Sequence, residues 1–213
     1  MKRPIIALLF LLSAIPAAAQ MNFTGSMGIN YFSAPSLKDY LNMNYPASSG
    51  LVPVFSSAIG FYGEFDIPVS GNYEVGFEYE YGIYSYNSPS SSGGNYSFSI
   101  DMHKINLIGY YVISEEWYKL KFGAGGGIRM ASVDEEIYYS ANYKTTGFGF
   151  VTKVNGLTPL SANVFVNLGV EAGYDFTGEP ESGGNKIINA ALNKNVNLNE
   201  FTLGLKIGVT YFF

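Results

Sequence analysis

The chain has 213 residues, and its 12 Lys and Arg against 17 Asp and Glu give a formal net charge of -5, which excludes the basic patches that nucleic acid selects. It has no cysteine, which excludes a disulfide framework, a thiolate metal site and lipid attachment through cysteine. Charged residues make up 14%, about half the usual share for a soluble surface, so the outside of the folded chain is expected to meet something other than water.

At the N-terminus, Lys2 and Arg3 precede an apolar run from Ile5 to Leu12 and the small residues Ala17, Ala18 and Ala19. That order is the three-part pattern of a secretory signal, with cleavage expected after Ala19. The expected organisation is a signal peptide over 1–19 and one domain over 20–213. No later run reaches the roughly eighteen apolar residues of a membrane helix, so any span has to be made of strands.

Residues 22–33 place Phe23, Met27, Ile29 and Tyr31 on one face against Asn22, Thr24, Ser26 and Asn30, the period of two of a strand. A long connector, 34–52, follows. Within it Ser36 as a cap, with Leu37, Tyr40 and Leu41 at helical spacing, predicts one or two helical turns. Residues 53–67 set Phe55, Ile59, Phe61, Phe65 and Ile67 against Ser56, Ala58, Gly60, Glu64 and Asp66. After the tight "PVSG" at 68–71, Tyr73, Val75, Phe77, Tyr79, Tyr81 and Ile83 alternate with Glu74, Gly76, Glu78, Glu80 and Gly82.

The loop "NSPSSSGGN", 87–95, leads into 96–113, where the phase changes. Tyr96, Phe98, Ile100 and Met102 are even, whereas Ile105, Leu107, Gly109 and Tyr111 are odd. A bulge near Met102 to Lys104 would repair the alternation. Beyond "SEEW" at 114–117, residues 118–131 alternate Tyr118, Leu120, Phe122, Ile128 and Met130 with Lys119, Lys121, glycines and Arg129. A long loop is predicted over 132–143. A strand over 144–156 then carries Phe148, Phe150, Thr152 and Val154 outward, and a shorter connector covers 155–162.

Residues 163–176 set Val164, Val166, Leu168, Val170, Ala172, Tyr174 and Phe176 against Asn167, Gly169, Glu171, Gly173 and Asp175. The longest loop is predicted over 177–197. The ending "FTLGLKIGVTYFF" sets Phe201, Leu203, Leu205, Ile207, Val209, Tyr211 and Phe213 against Thr202, Gly204, Lys206 and Gly208.

Eight strands with alternating long and short connections predict an all-β, eight-stranded antiparallel up-and-down transmembrane β-barrel, with both termini on the short-turn, periplasmic side. Aromatics at strand ends would form two interfacial girdles. Phe23, Phe65, Trp117, Tyr118, Tyr211 and Phe213 mark the periplasmic one; Tyr31, Tyr81, Tyr84, Tyr86, Tyr174 and Phe176 mark the outer one.

A barrel of this size is filled by its own side chains. The inward carboxylates are Glu64, Asp66, Glu74, Glu78, Glu80, Glu171, Asp175 and Glu200; the inward cations are Lys119, Lys121, Arg129 and Lys206. Unpaired burial of charge is costly, so these groups are expected to pair as a salt-bridged plug in two layers. Lys119 and Lys121 would meet Glu64, Asp66 and Glu74; Arg129 would meet Asp175 and either Glu80 or Glu171.

Other readings of these residues are weaker. Catalytic carboxylates need a cleft, and these alternate with glycine beside basic partners. Ser99, Asp101 and the sole histidine, His103, share parity, but i and i+2 on a strand are about 7 Å apart, too far for successive hydrogen bonds. "GAGGG" at 123–127 lacks the Lys-Ser/Thr ending of a phosphate loop. No catalytic residue, metal site or cofactor is expected.

The signal sequence, the eight alternating strands and the ending "LGLKIGVTYFF" together resemble the small outer-membrane β-barrel families of the OmpX/OmpA-barrel kind. The resemblance implies that the last strand, with Leu205, Ile207, Val209, Tyr211 and Phe213 at alternate positions, is read transiently by the barrel assembly machinery. It carries over no catalytic residue.

The expected function is that of a non-enzymatic integral protein of a bacterial outer membrane, in contact with its lipid, with loops for structural or interaction work and an unspecified loop ligand. The alternatives are a narrow porin-like or lateral conduit for small apolar molecules, a lipid-modifying enzyme, and a secreted soluble sandwich.

Overall fold

A computed structural model of the chain describes residues 21–44, 57–89, 95–136 and 140–213. The expected signal peptide, Phe55 and Ser56, and the middle of the connector over 87–95 lie outside the described residues. The barrel strands are β1 (Asn22–Ser33), β2 (Ser57–Ser70), β3 (Tyr73–Pro89), β4 (Asn95–Ser114), β5 (Lys119–Glu136), β6 (Ser140–Pro159), β7 (Val164–Phe176) and β8 (Glu200–Phe212). A helix, α1 (Pro35–Asn44), follows β1.

Each strand pairs antiparallel with the next, and β1 pairs with β8 from Asn22↔Phe212 to Ser33↔Phe201. The single sheet thus closes on itself, which rules out a two-sheet sandwich. Closure also leaves no unpaired edge within the wall, the condition for strands to lie in hydrocarbon. No helix among the described residues is long and apolar enough to cross a membrane. The strands do the crossing.

Alternation sorts the side chains as the period of two requires. On β8, Thr202, Lys206 and Thr210 are buried while Leu205 is 66% exposed and Ile207 55%. On β1 Ile29 and on β4 Leu107 stand out equally far. Each such side chain gains roughly 1.5–3 kcal/mol from leaving water, so a belt of them around the whole wall requires an apolar solvent. That solvent is lipid.

The bulge expected near Met102 to Lys104 is absent. β4 pairs with β3 from Tyr73↔Tyr111 to Pro89↔Asn95 and with β5 from Ser97↔Glu136 to Ser114↔Lys119, both without a register shift. Even residues point inward throughout, Phe98, Ile100 and Met102 as well as Lys104, Asn106 and Tyr110. The polarity inverts instead of the backbone. Where the wall faces lipid, the outside is apolar and the inside charged; past His103, the outside turns to Asp101, Ser99 and Ser97 and the inside becomes greasy, as in a barrel standing in water.

The same change of solvent corrects three connectors. The described residues at both ends of the loops expected over 87–95 and 132–143 are strand, because β3 and β4 pair as far as Pro89↔Asn95 and β5 and β6 as far as Glu136↔Ser140. The connector expected over 155–162 shortens to a turn after Pro159, with Leu160 N donating to Val164 O at 2.8 Å. A real irregularity sits at the hairpin from β2 to β3, between Pro68 and Ser70, where Gly71 takes a φ of 53°. Glycine permits that conformation without strain.

The predicted helical turns are α1, with a different start. Lys38 N donates to Ala34 O at 3.0 Å, so Pro35 occupies the first helical position, where its missing N–H costs nothing. Ser36 is not the cap; its Oγ accepts the Asn197 N–H at 3.1 Å and ties the helix to the long connection before β8. Leu37, Tyr40 and Leu41 turn down onto Phe32, Tyr84, Phe98, Ile100, Met102 and Val133, with Ile187, Val196 and Leu198 closing the other side. Tyr84 therefore belongs to this core, fully buried, and not to the outer girdle. The side chain of Tyr86 lies outside the described residues.

Candidate functional site: a filled lumen

The end of the barrel where Met21 meets Phe213 and the tight turns lie begins with an aromatic floor. Phe165 and Phe212 lie 4.8 Å apart between ring centroids, and Lys119 Nζ stands 4.0 Å above the Phe212 ring. Cation and ring face attract, and Glu74 acts on the same lysine electrostatically from beyond ion-pair distance. Lys119 thus borders the layer expected for it, near Glu74, with the Phe212 ring in place of a direct carboxylate partner.

Above the floor, Lys121 joins Asp66 Oδ2 at 2.5 Å and Glu74 Oε2 at 2.9 Å, and Tyr110 donates to Glu64 at 2.9 Å. The middle layer holds two lysines. Lys153 contacts Glu78 and Glu171, the latter at 3.4 Å, while Lys206 reaches the same two carboxylates at 3.3 Å each. Tyr62 donates to Glu171 at 2.9 Å and Asn106 to Glu78 at 3.1 Å.

The third layer centres on Asp175. Lys104 Nζ lies 2.8 Å from it, 3.2 Å from Glu200 and 3.8 Å from Glu80; Arg129 Nε lies 2.5 Å from it on the other side. Arg129 also donates to Asn106 Oδ1 at 2.8 Å, which links this layer to the one below. Neither Glu80 nor Glu171 is an ion-pair partner of Arg129. Past this layer the ion pairs give way to the apolar core under α1, in which the buried carboxylate of Glu135 accepts from Tyr40 at 2.7 Å and from Tyr96 at 3.2 Å.

These contacts tie strands that are not neighbours in the sheet: β5 to β2 through Lys121, β6 to β3 through Lys153, β4 to β7 and β8 through Lys104. Arg129 and Glu78 are each 1% exposed and Lys153 is 3% exposed, so these charges are held away from bulk solvent. Burial makes the ion pairs interdependent, since deleting one partner strands the other in low dielectric at about 3–5 kcal/mol. The glycines make room: a Cβ on Gly149 would lie 2.7 Å from Arg129 Nε.

No family model matches the chain, and no curated protein does. Solved structures do match. Neisserial surface protein A superposes with a TM-score of 0.57 over 91% of this chain and 97% of its own, at 14% identity. A major outer membrane protein from Thermus thermophilus also gives 0.57, over 92% and 100%, at 14% identity. The fold is that of a small outer-membrane β-barrel. Ail, the attachment invasion locus protein of Yersinia pestis, solved with the heparin analogue sucrose octasulfate, matches at 0.53 over 92% and 99%, at 7% identity. Identity this low carries architecture and no residue role.

Within this barrel, sequence reasoning passed over Lys104, Lys153, Tyr62, Tyr110, Asn30 and Asn106. The supposed bulge left the face of Lys104 undecided. For Lys153 a signal existed: it has the opposite parity to Phe148, Phe150 and Val154, all outward. The candidate Ser99, Asp101 and His103 face outward, and His103 Nδ1 lies 2.7 Å from the Tyr79 hydroxyl, not against Ser99. Leu205, Ile207, Val209, Tyr211 and Phe213 all face the lipid side. Among the described residues no group of three or more His, Cys, Asp or Glu side chains is arranged to hold a metal ion.

Proposed function

We propose that the chain is a non-enzymatic integral protein of a bacterial outer membrane, a sealed barrel that displays α1, the protruding ends of β3–β6 and the 177–199 connection to the outside. The observation supporting this reading is the run of buried inward side chains, from the Phe165 and Phe212 rings through three layers of ion pairs to the apolar core under α1. A barrel so filled is a rigid mount, and function passes to the segments it holds up. Met21 and Phe213 meet at the turn end, which this reading places in the periplasm. The lipid-facing residues Leu205 to Phe213 then supply the alternating terminal segment presented to the assembly machinery.

The conduit reading gains one point, because inward apolar residues do line the loop half. They pack against one another under α1, and a conduit would require that cap to leave.

Two measurements test the proposal. The chain has no cysteine, so single cysteines report cleanly on sidedness. A membrane-impermeant maleimide on intact cells is expected to label Leu192→Cys and leave Leu160→Cys untouched; the opposite pattern inverts the orientation. Proteoliposomes carrying the protein are expected not to swell in small sugars, and swelling would reject the sealed lumen.

A further inference from the structure

Toward the α1 end of the outer wall, β3 and β4 carry an aromatic and polar constellation, bordered on one side by the apolar Phe61 and Ile59 of β2 and continued on the other by the polar Ser132 and Asp134 of β5. On β3 and β4, Tyr79, Tyr81 and His103 stack side by side, with ring centroids 6.0 Å (Tyr79 to His103) and 5.0 Å (Tyr81 to His103) apart. Their polar edges are mutually bonded. The Tyr79 hydroxyl lies 2.7 Å from His103 Nδ1, and the Tyr81 hydroxyl donates to Asp101 Oδ1 at 2.9 Å. On the adjoining strands, Asn142 donates to Ser132 at 2.9 Å and to Asp134 at 2.7 Å, and Ser132 is the register partner of Asp101.

Height is the second element. Directly toward the membrane from His103, β4 presents Ile105 and then Leu107, 62% exposed; directly away from it come Asp101 and Ser99. The ring stack therefore straddles the line where hydrocarbon gives way to headgroups, the level aromatic amphipaths prefer. A histidine and a carboxylate there are unfavourable against acyl chains and favourable against something polar.

We propose that this cluster is a docking site for the sugar headgroup of an outer-leaflet glycolipid. Ring faces suit the C–H face of a pyranose, while Asp101 and Asp134 accept from its hydroxyl or amine groups. The charge balance, two carboxylates against Lys144 alone, opposes a phosphate headgroup. Mutual hydrogen bonding holds the rings in place before binding, which spares the ordering cost. The site is separate from the lumen, and it rests on the orientation proposed above.

His103 is the only histidine, so ring-15N histidine gives one reporter. The protein in phosphatidylcholine nanodiscs is titrated with an acylated, phosphate-free glucosamine disaccharide, and separately with phosphatidylglycerol. A saturable shift of the His103 resonance is expected with the glycolipid only. Asp101→Asn and Tyr81→Leu are each expected to weaken binding about tenfold, with Tyr81→Phe intermediate because it keeps the ring and loses one hydrogen bond. Heat-dependent gel mobility verifies that each variant is folded. No saturable shift, an equal response to phosphatidylglycerol, or unchanged affinity in all three variants would overturn the proposal. Both nanodisc leaflets carry the glycolipid, so this outcome is independent of the cysteine-labelling result for orientation.

Discussion

At the scale of single residues, the charged layers behave as linked groups. Lys153 sits between Glu78, Glu171 and Glu64, the last at 3.7 Å, so Lys153→Met leaves buried carboxylates facing one another. The expected loss is about 3–5 kcal/mol, measured by urea unfolding in detergent or bilayer. Adding Glu78→Gln is expected to recover part of it, because the pair is removed together; strict additivity of the two would contradict a shared network. Gly149→Val is expected to be worse than a volume change alone explains, since its Cβ displaces Arg129 from Asp175. The inward carboxylates were legible from parity alone. Which cation each one meets was not, because partners lie across the lumen on strands far apart in sequence and parity carries no information about angle around a barrel.

At the scale of elements, β4 is the instructive case. A period of two with a change of phase is ambiguous between a bulge and a change of surroundings, and within one strand nothing distinguishes them. The register on both sides decides for the surroundings. A nitroxide placed at Leu107 is therefore expected to be relaxed by dissolved oxygen and one at Ser99 by a water-soluble paramagnetic complex; like behaviour at both sites would contradict the inversion. Helix α1 was visible from Leu37, Tyr40 and Leu41, but its start was misplaced because a serine that looks like a cap can serve a distant backbone N–H instead. Leu41→Ala is expected to cost about 2–5 kcal/mol locally, seen as faster amide exchange in α1 with the barrel strands unchanged.

The long connection before β8 has its own electrostatic fastening. Lys186 donates to Glu179 at 2.7 Å and Asn195 to the same carboxylate at 3.0 Å; the hydrogen bond to Lys186 draws the carboxyl of Glu179 below its usual range, and that to Glu179 draws Lys186 above its own. Its contribution is present between those two values and is lost as pH falls through the lowered one or rises through the raised one. Both groups are exposed, so the effect is small and salt-sensitive. Chemical-shift titration of the connection is expected to show it without any change in the barrel.

At the scale of the whole molecule, the architecture was readable because a membrane barrel repeats one simple rule eight times and varies only its connectors. What the rule concealed is that the strands outrun the membrane, so the same barrel has a lipid-facing half with a charged interior and a solvent-facing half with an apolar one. On the proposed reading, the two fillings close the lumen at different heights by different means. Single-channel recording of the refolded protein in a planar bilayer tests that closure most directly. The sealed barrel predicts a silent baseline at all applied voltages; reproducible openings of defined conductance would contradict it.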